Sequence, residues 1–219
     1  MPTPHATRHP IQDIPTCPIF PLAGAILLPG AQLPLNIFEP RYLQMVDDAL
    51  ADARIIGMIQ PSAIGPETEP ISLFNVGCAG RITTFSETSD GRYQIVLSGL
   101  HRFSIRDEIY SELPYRTIQA DWLAFSVDSQ TDNSGEAVER DAFLDAVGEY
   151  LHSAGLHADE DTVSNASIAS LTASLTMGAP FSPSEKQALL EAKTIADRAS
   201  CLMALMKMSG DDDPEHPIQ

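Results

Sequence analysis

The sequence predicts an α+β protein, with a β-rich first part that holds one helix and an all-helical second part. Between residues 16 and 125, short apolar or alternating runs are separated by turn signals, which is typical of the strands of a closed or nearly closed barrel. Beyond residue 135, apolar residues recur every three or four positions, the spacing of packed helices. We therefore expect a barrel over residues 16–125 and a helical bundle over residues 136–209. Residues 126–135 form the predicted linker, residues 1–15 a flexible lead-in and residues 210–219 a disordered acidic tail.

Prolines punctuate the first part of the predicted barrel. Pro29-Gly30 predicts a turn, because proline presets φ at one central position and glycine accepts positive φ at the next. Pro21 and Pro34 cannot donate to a strand ladder, so we expect them at strand starts or sheet edges. A short strand over residues 35–38 is predicted to run directly into a helix that has Pro40 in its first turn.

The remaining strands follow from apolar runs and one strong turn signal. Residues 55–59 form an apolar run suited to a strand buried on both faces. Residues 73–85 and 93–97 flank Asp90-Gly91, a dipeptide that favours a tight hairpin. Two further strands are expected around Phe103 and around Ile118, where apolar and polar residues alternate.

The second part predicts three helices. The first runs over residues 136–152 and ends at Gly155, and the second is centred on residues 168–175. The third opens at Ser182-Pro183-Ser184-Glu185, a capping-box spacing. It continues through an apolar stripe: Leu189, Ala192, Ala196, Ala199, Met203 and Met206. We expect this stripe to pack within the chain, and a homodimer formed through the last helix is the alternative.

Charge excludes several classes of partner. The chain has 13 basic and 30 acidic residues, a net charge of −17, so its surface should repel nucleic acids and anionic membranes. No run approaches the roughly 18 apolar residues of a membrane helix. The lead-in has no apolar core of a signal peptide, so we expect a cytoplasmic protein. The three widely spaced cysteines predict neither disulfides nor a zinc site.

The sequence shows no known catalytic motif, which predicts a protein that is not an enzyme and has no cofactor. The sequence contains no phosphate-binding loop and no Gly-x-Ser-x-Gly motif, and its lysines stand at positions 186, 193 and 207. Residues 152–161 hold histidine and acidic residues, but their spacing matches no metal-ligand pattern and is typical of a solvated loop. Cys17 and His101 are the remaining candidate pair for a nucleophile and a base, with no positive support.

Several segments together carry a resemblance to a known family. They read Phe-Pro-Leu at 20–22, Leu-Pro-Gly at 28–30, Leu-Pro-Leu-Asn-Ile-Phe-Glu-Pro-Arg-Tyr at 33–42, Ile-Ile-Gly-Met-Ile-Gln-Pro at 55–61, Asn-Val-Gly-Cys-Ala-Gly-Arg-Ile at 75–82 and Val-Leu-Ser-Gly-Leu-His-Arg-Phe at 96–103. Their form and order resemble the Lon protease N-terminal, substrate-binding domain, and especially bacterial proteins in which that domain stands without the ATPase and protease domains. The resemblance implies a PUA-like pseudo-barrel for residues 16–125.

The resemblance also implies a module that recognises peptides or unfolded protein segments, as an adaptor or chaperone-like binder that works alone or with a separate protease. A proline-punctuated edge offers backbone and apolar side chains to an incoming chain, by strand addition or by pocket filling. The candidate contact residues are Phe20, Leu28, Pro29, Phe38, Arg41 and Tyr42.

Two other functions compete with this one. A small-ligand pocket between barrel and helices is the main alternative, with Arg41, His101 and Arg102 as candidate anion ligands. RNA binding is suggested only by the PUA-like fold, and the net charge of −17 argues against it.

Overall fold

The computed structural model of the chain describes residues 11–62, 71–156 and 159–211. It divides into two compact units, the first ending at Ser129 and the second beginning at Gln130. The first is a six-stranded sheet with one α-helix and the second is helical, so the predicted α+β class is confirmed. No helix among these residues is long and apolar enough to span a membrane. Most of the predicted lead-in and acidic tail lies outside the described residues.

The sheet closes on itself and leaves one strand outside the ring. Its strands are β1 (Thr16–Pro21), β2 (Gln32–Ile37), β3 (Ile55–Ile59), β4 (Val76–Glu87), β5 (Tyr93–Ile109) and β6 (Thr117–Asp121). They pair in the order β2-β5-β4-β3-β1-β6, and an additional β5–β6 pairing closes a five-stranded ring. β2 pairs only with β5 among the described strands, so it is the edge strand of this unit.

A single long strand replaces two of the predicted ones. β5 runs for 17 residues, through both the region after Asp90-Gly91 and the segment around Phe103. Its first half pairs with β2 and its second half with β6, while β4 follows it along most of its length. Register shifts after Ala79, Ile82 and Ile105 bend the ladder, and such bulges allow one strand to serve both sides of a barrel.

The Phe103 side chain packs against two glycines in the core of the barrel. Its ring is fully buried, and a Cβ added at Gly77 would lie 2.5 Å from Phe103 Cζ and from the Met58 carbonyl oxygen. A Cβ at Gly57 would lie 3.0 Å from the same ring. β3 and β4 therefore need glycine here because a large aromatic side chain occupies the space of their side chains.

A second close approach fixes the turn before β2. A Cβ at Gly99 would lie 2.0 Å from the Leu28 carbonyl oxygen. The Gly99 N–H donates to the Ala31 carbonyl oxygen at 2.8 Å, and the Gly99 carbonyl accepts the Gly30 N–H at 2.9 Å. Gly30 has φ +79°, as expected for the predicted Pro29-Gly30 turn. These contacts lock the start of β2 onto β5.

The segment after β6 is attached to the barrel through a buried ion pair. A 3₁₀ turn over Leu123–Ser129 carries Asp128, which lies 2.6 Å from the Arg102 guanidinium and also accepts the Arg102 backbone N–H at 2.8 Å. Both side chains are buried, and the Arg102 guanidinium lies 4.4 Å from the centre of the Phe125 ring. Residues 126–129 therefore belong to the packed barrel unit, although they were predicted as linker.

Four of the helices in the second unit begin at side-chain caps. The barrel unit holds α1 (Pro40–Ala51), and the second unit holds α2 (Arg140–Ser153), α3 (Glu160–Asn165), α4 (Ile168–Gly178), α5 (Pro183–Glu191) and α6 (Ile195–Asp211). Ser182 and Glu185 form the predicted capping box of α5, and Gly155 follows α2 with φ +62°. The core of the second unit includes Phe143, Leu189 and Leu202, each fully buried.

Two predictions for the helical part were wrong. The last helix is interrupted, because Thr194 and Asp197 cap each other's backbone N–H groups and start a new helix at Ile195. The segment 152–161, predicted as a solvated loop, starts with the last two residues of α2 and ends with the first two residues of α3, a helix that was not predicted and whose N-cap is Asp159. The stripe residues Leu189, Ala199 and Met206 are buried in this unit's own core, as expected for packing within the chain.

We expect Gly99→Ala to destabilise the fold by about 3 kcal/mol or more, because its Cβ would collide with the Leu28 backbone, which cannot move aside as a side chain can. Gly148→Ala in α2 is the matched control, since nothing lies within 4 Å of its added Cβ and alanine favours helix. Urea unfolding of the two variants measures the difference. Equal stability of Gly99→Ala and the parent would contradict the close approach.

Asp128→Asn should cost about 3–5 kcal/mol of unfolding free energy, because it leaves the buried Arg102 guanidinium without its counter-charge. Asp90→Asn is the control, since it alters an ion pair with Arg92 that is about half exposed and should change the thermal midpoint little. Similar shifts for both variants would show that the Arg102–Asp128 pair has no special weight.

Candidate functional site

The barrel unit has a groove of about 510 Å³ between β2 and the end of β1. We call it the β2 groove; it is lined by residues 20–22, 34–36 and 114–116, together with Phe38, Glu39, Arg41, Tyr42, Pro61 and Ile71. Four of these residues are prolines, whose rings present apolar surface and no N–H. The groove is therefore mostly apolar, with a few polar groups at its walls.

An aromatic pair, Phe20 and Tyr42, joins β1 to α1 within this lining. The two ring centroids lie 4.3 Å apart, and both side chains are more than 90% buried. The Arg41 guanidinium lies 4.6 Å from the centre of the Tyr42 ring and pairs with Glu39 at 2.8 Å. Burial raises the pKa of Tyr42, so its hydroxyl stays protonated at neutral pH.

Tyr115 and Arg116, from the segment just before β6, form one wall of the groove. The Tyr115 hydroxyl donates to Asp48 Oδ2 on α1 at 2.7 Å, and its burial together with this bond raises the pKa of Tyr115 to about 12. Arg116 forms two hydrogen bonds of 2.6 Å with Glu108 and donates to the Ile71 carbonyl oxygen at 2.7 Å. The bond to Arg116 holds the pKa of Glu108 below its usual value. The charged groups of the groove are thus paired with each other.

Phe38 is the most exposed large apolar side chain of the lining, with 64% of its surface accessible. It follows β2 and precedes α1, whose first residue is Pro40. Tyr110 and Leu113 are also exposed, at 90% and 46%, in the segment that leads from β5 to the Tyr115 wall. Phe38 is continuous with the apolar lining of the groove, and a contiguous apolar surface of this kind is typical of a site that binds a partner.

Four of the six candidate contact residues line one site. Phe20, Phe38, Arg41 and Tyr42 all contribute to the β2 groove, although Phe20 and Tyr42 are mostly buried. Leu28 is 1% exposed against the backbone of Gly99, so it has no surface to offer a ligand. Pro29 belongs to the turn before β2 and is not part of the lining.

The sequence reasoning missed the opposite wall of the groove. Tyr115, Arg116 and Ile71 meet the proline-rich segment only in the folded chain. A signal was present in Pro114-Tyr115-Arg116, where a proline precedes an aromatic and a cation just before β6; the same residue types follow Pro40 at the start of α1. The free edge of β2 was expected only in general terms, from Pro34.

The other candidate residues do not form a reactive or anion-binding site. Arg102 is 2% exposed and paired with Asp128, and His101 is 2% exposed with its Nδ1 2.6 Å from the Arg102 carbonyl oxygen. Burial raises the pKa of Cys17 to about 12, which keeps the thiol protonated and unreactive. In the described part of the chain, no three His, Cys, Asp or Glu side chains come together as a metal site. His157 lies outside that part.

Comparison with known proteins shows the class to which this chain belongs. The model of the ATP-dependent protease La (LON) substrate-binding domain matches residues 16–208. The chain therefore belongs to this family of substrate-binding domains, and the resemblance seen in the sequence is confirmed.

Relatives and solved structures agree with this assignment. Lon protease 2 of Sorangium cellulosum is 29% identical over 94% of this chain, and Lon protease of Roseiflexus castenholzii is 33% identical over 52%. These stretches are 26% and 14% of the relatives' own lengths, so the chain spans about a quarter of such proteins or less. The Lon N-terminal domain protein of Xanthomonas campestris has a TM-score of 0.62 at 23% identity and covers 87% of this chain and 98% of its own. The N-terminal domain of Mycobacterium avium complex Lon protease has a TM-score of 0.64 at 14% identity, with coverages of 88% and 98%. Both structures establish the fold.

At pH 8 we expect iodoacetamide to label Cys201, which is partly exposed, and to spare Cys17 until the protein is unfolded. With a pKa of about 12, only about one Cys17 thiol in ten thousand is ionised at that pH. Mass spectrometry of native and urea-unfolded samples reports each site. Rapid labelling of Cys17 in the native protein would revive the nucleophile hypothesis.

Proposed function

We propose that this chain is a non-enzymatic recognition module that binds extended apolar segments of other proteins in the β2 groove. The observation that carries the proposal is Phe38, an aromatic side chain left 64% exposed at a groove whose floor and walls are already ordered. Membership of a family of substrate-binding domains supports a role in recognition. That the residues lining the β2 groove form the binding site is part of the proposal.

The chemistry of the groove favours an apolar, extended ligand. Its ion pairs are closed internally: Arg41 pairs with Glu39 and Arg116 with Glu108. A ligand therefore does not need to supply counter-charges, and its binding free energy comes from covering apolar surface. Fully burying an aromatic side chain such as Phe38 contributes about 1.5–3 kcal/mol, which is enough for weak and reversible binding together with a few further contacts.

The relatives named above are Lon proteases, and we extend the proposal to an adaptor role on that basis. A segment held in the β2 groove would be presented to a protease that acts on it. The recognised chemistry is the same whether that protease is a separate protein or not, so binding is the step to test first.

Phe38→Ala should weaken the binding of apolar peptides by about tenfold or more, the loss typical of removing an aromatic anchor from a binding surface. The measurement is fluorescence titration with peptides selected from an array, at 50 mM and 500 mM salt, with circular dichroism to verify folding. Binding should persist at high salt, because apolar contacts are not screened.

Phe85→Ala is the matched control, since Phe85 is also an exposed phenylalanine, 41% accessible, but lies on the β4–β5 hairpin outside the groove. Equal losses for Phe38→Ala and Phe85→Ala would place binding elsewhere. Absence of binding to any apolar peptide, with the protein folded, would refute the recognition role.

A further inference from the structure

We infer that the β2 groove receives its ligand as an added strand, hydrogen-bonded to the open edge of β2. The inference rests on the proposed function and specifies its mode. It assigns recognition mainly to backbone groups of β2, with Phe38 as a side-chain anchor at one end. The partner is an extended segment with unpaired backbone groups and basic residues at its flanks.

The direction of the backbone groups on β2 follows from its start. The Ala31 carbonyl accepts the N–H of Gly99 on β5 at 2.8 Å, so residue 31 directs its backbone groups toward β5. Backbone groups of an antiparallel pair alternate between facing the partner strand and facing away. Since the register from Gln32 to Ile37 continues without a bulge, the backbone N–H and C=O groups of Leu33, Leu35 and Ile37 point toward β5. Gln32, Pro34 and Asn36 therefore face away from it.

Proline at position 34 agrees with this assignment. Pro34 has no N–H to donate, and its place on the outward-facing set leaves the ladder to β5 intact. No strand among the described residues pairs with the outer side of β2. The open edge thus offers the carbonyls of Gln32, Pro34 and Asn36 and the N–H groups of Gln32 and Asn36.

This open edge is the one that borders the groove. Residues 34, 35 and 36 all line it, although successive side chains of a strand point to opposite faces of the sheet. Only a groove that runs along the edge of the strand meets three consecutive residues. None of its lining residues comes from β5, so it lies on the other side of β2.

The opposite side of the groove cannot compete as a template. There β1 ends in Pro21, which has no N–H, and the Ile19 N–H already donates to the Arg116 carbonyl oxygen at 2.9 Å. The Leu22 N–H donates to the Ile59 carbonyl oxygen at 2.9 Å. An incoming strand therefore finds outward-facing donors on β2, whereas Ile19, Pro21 and Leu22 of the β1 side have none to offer.

Charge around the groove sets the preferred flanks of the ligand. The lining residues, together with the two carboxylates bonded to Tyr115 and Arg116, carry one more carboxylate than guanidiniums: Glu39, Asp48 and Glu108 against Arg41 and Arg116. The whole chain has the same sign, with a net charge of −17. Lysine or arginine at the ends of the bound segment complements this surface and speeds its capture.

The test uses three forms of one fluorescein-labelled peptide, Lys-Lys-Val-Thr-Phe-Thr-Val-Lys-Lys. The second form carries N-methyl groups on the two valines and the phenylalanine, and the third carries them on the two threonines. An added strand pairs through alternate residues only, so one methylated form should lose at least tenfold in affinity while the other binds like the parent. Replacing the four lysines by glutamates should also weaken binding at low salt.

Protein variants give an independent readout. Asn36→Pro removes an outward N–H within the groove, whereas Gln32→Pro removes an outward N–H at the far end of the same edge, outside the lining. We expect at least a tenfold loss for Asn36→Pro and little change for Gln32→Pro, with thermal unfolding reported for both. If Asn36→Pro does not fold, the methylated peptides decide the question alone.

The outcomes separate the two proposals. Equal affinity of both methylated forms, with binding still reduced by Phe38→Ala, overturns strand addition and leaves groove recognition standing. If the unmodified peptide and the array peptides all fail to bind, the proposed function falls, and strand addition falls with it.

Discussion

The close approach of Gly99 to the backbone of Leu28 is the contact on which the geometry of the groove depends. It leaves room for no side chain, and the two hydrogen bonds beside it hold residues 30 and 31 against β5. A slip of β2 by one residue would turn its whole set of side chains and backbone groups to the other side. Because the start of the strand is held in place, the backbone groups of Pro34 and Asn36 point away from β5. The side chain of Ile37, which is 2% exposed, packs in the core. The edge proposed for strand addition is thus fixed by Gly99 of β5, which contacts the chain just before β2 begins.

An open strand edge is a liability for a soluble protein, since it can pair with another copy. In this chain β2 is only six residues long and carries Pro34 in its middle, so it offers few donors to an unintended partner. The high net negative charge of −17 adds repulsion between copies. These features do not prevent pairing with a short basic segment. The same edge can therefore remain accessible to a ligand while self-association is disfavoured.

The sequence was sufficient where a residue acts on its own backbone. Pro34 on an edge strand, the turn at Gly30 and the capping box at Ser182 follow from local chemistry, and each is found in the structure. It was insufficient where a role depends on residues distant in the chain. Leu28 and Phe38 are both large apolar residues shortly before a proline. Leu28 is nevertheless buried, with its backbone against Gly99, whereas Phe38 is exposed. Asp128 in the supposed linker pairs with Arg102, 26 residues away, and no local pattern reports that distance. The break before α6 was missed for a different reason, because the apolar spacing continues across a cap formed by Thr194 and Asp197.

Recognition through a backbone edge gives a physical reason for selecting unfolded segments. In a folded protein nearly all buried N–H and C=O groups are already paired, so few extended stretches can join β2. An unfolded or frayed segment has these groups free, and the cost of ordering it is limited to the residues that enter the groove. The groove itself is ordered in advance by the hydrogen bond from Tyr115 to Asp48 and by the ion pair between Arg116 and Glu108. Binding therefore requires little further ordering of the protein. Since every non-proline residue carries the same backbone groups, many sequences would satisfy the edge in the proposed mode, and Phe38 and the net acidic charge would then rank them by apolar content and basic flanks.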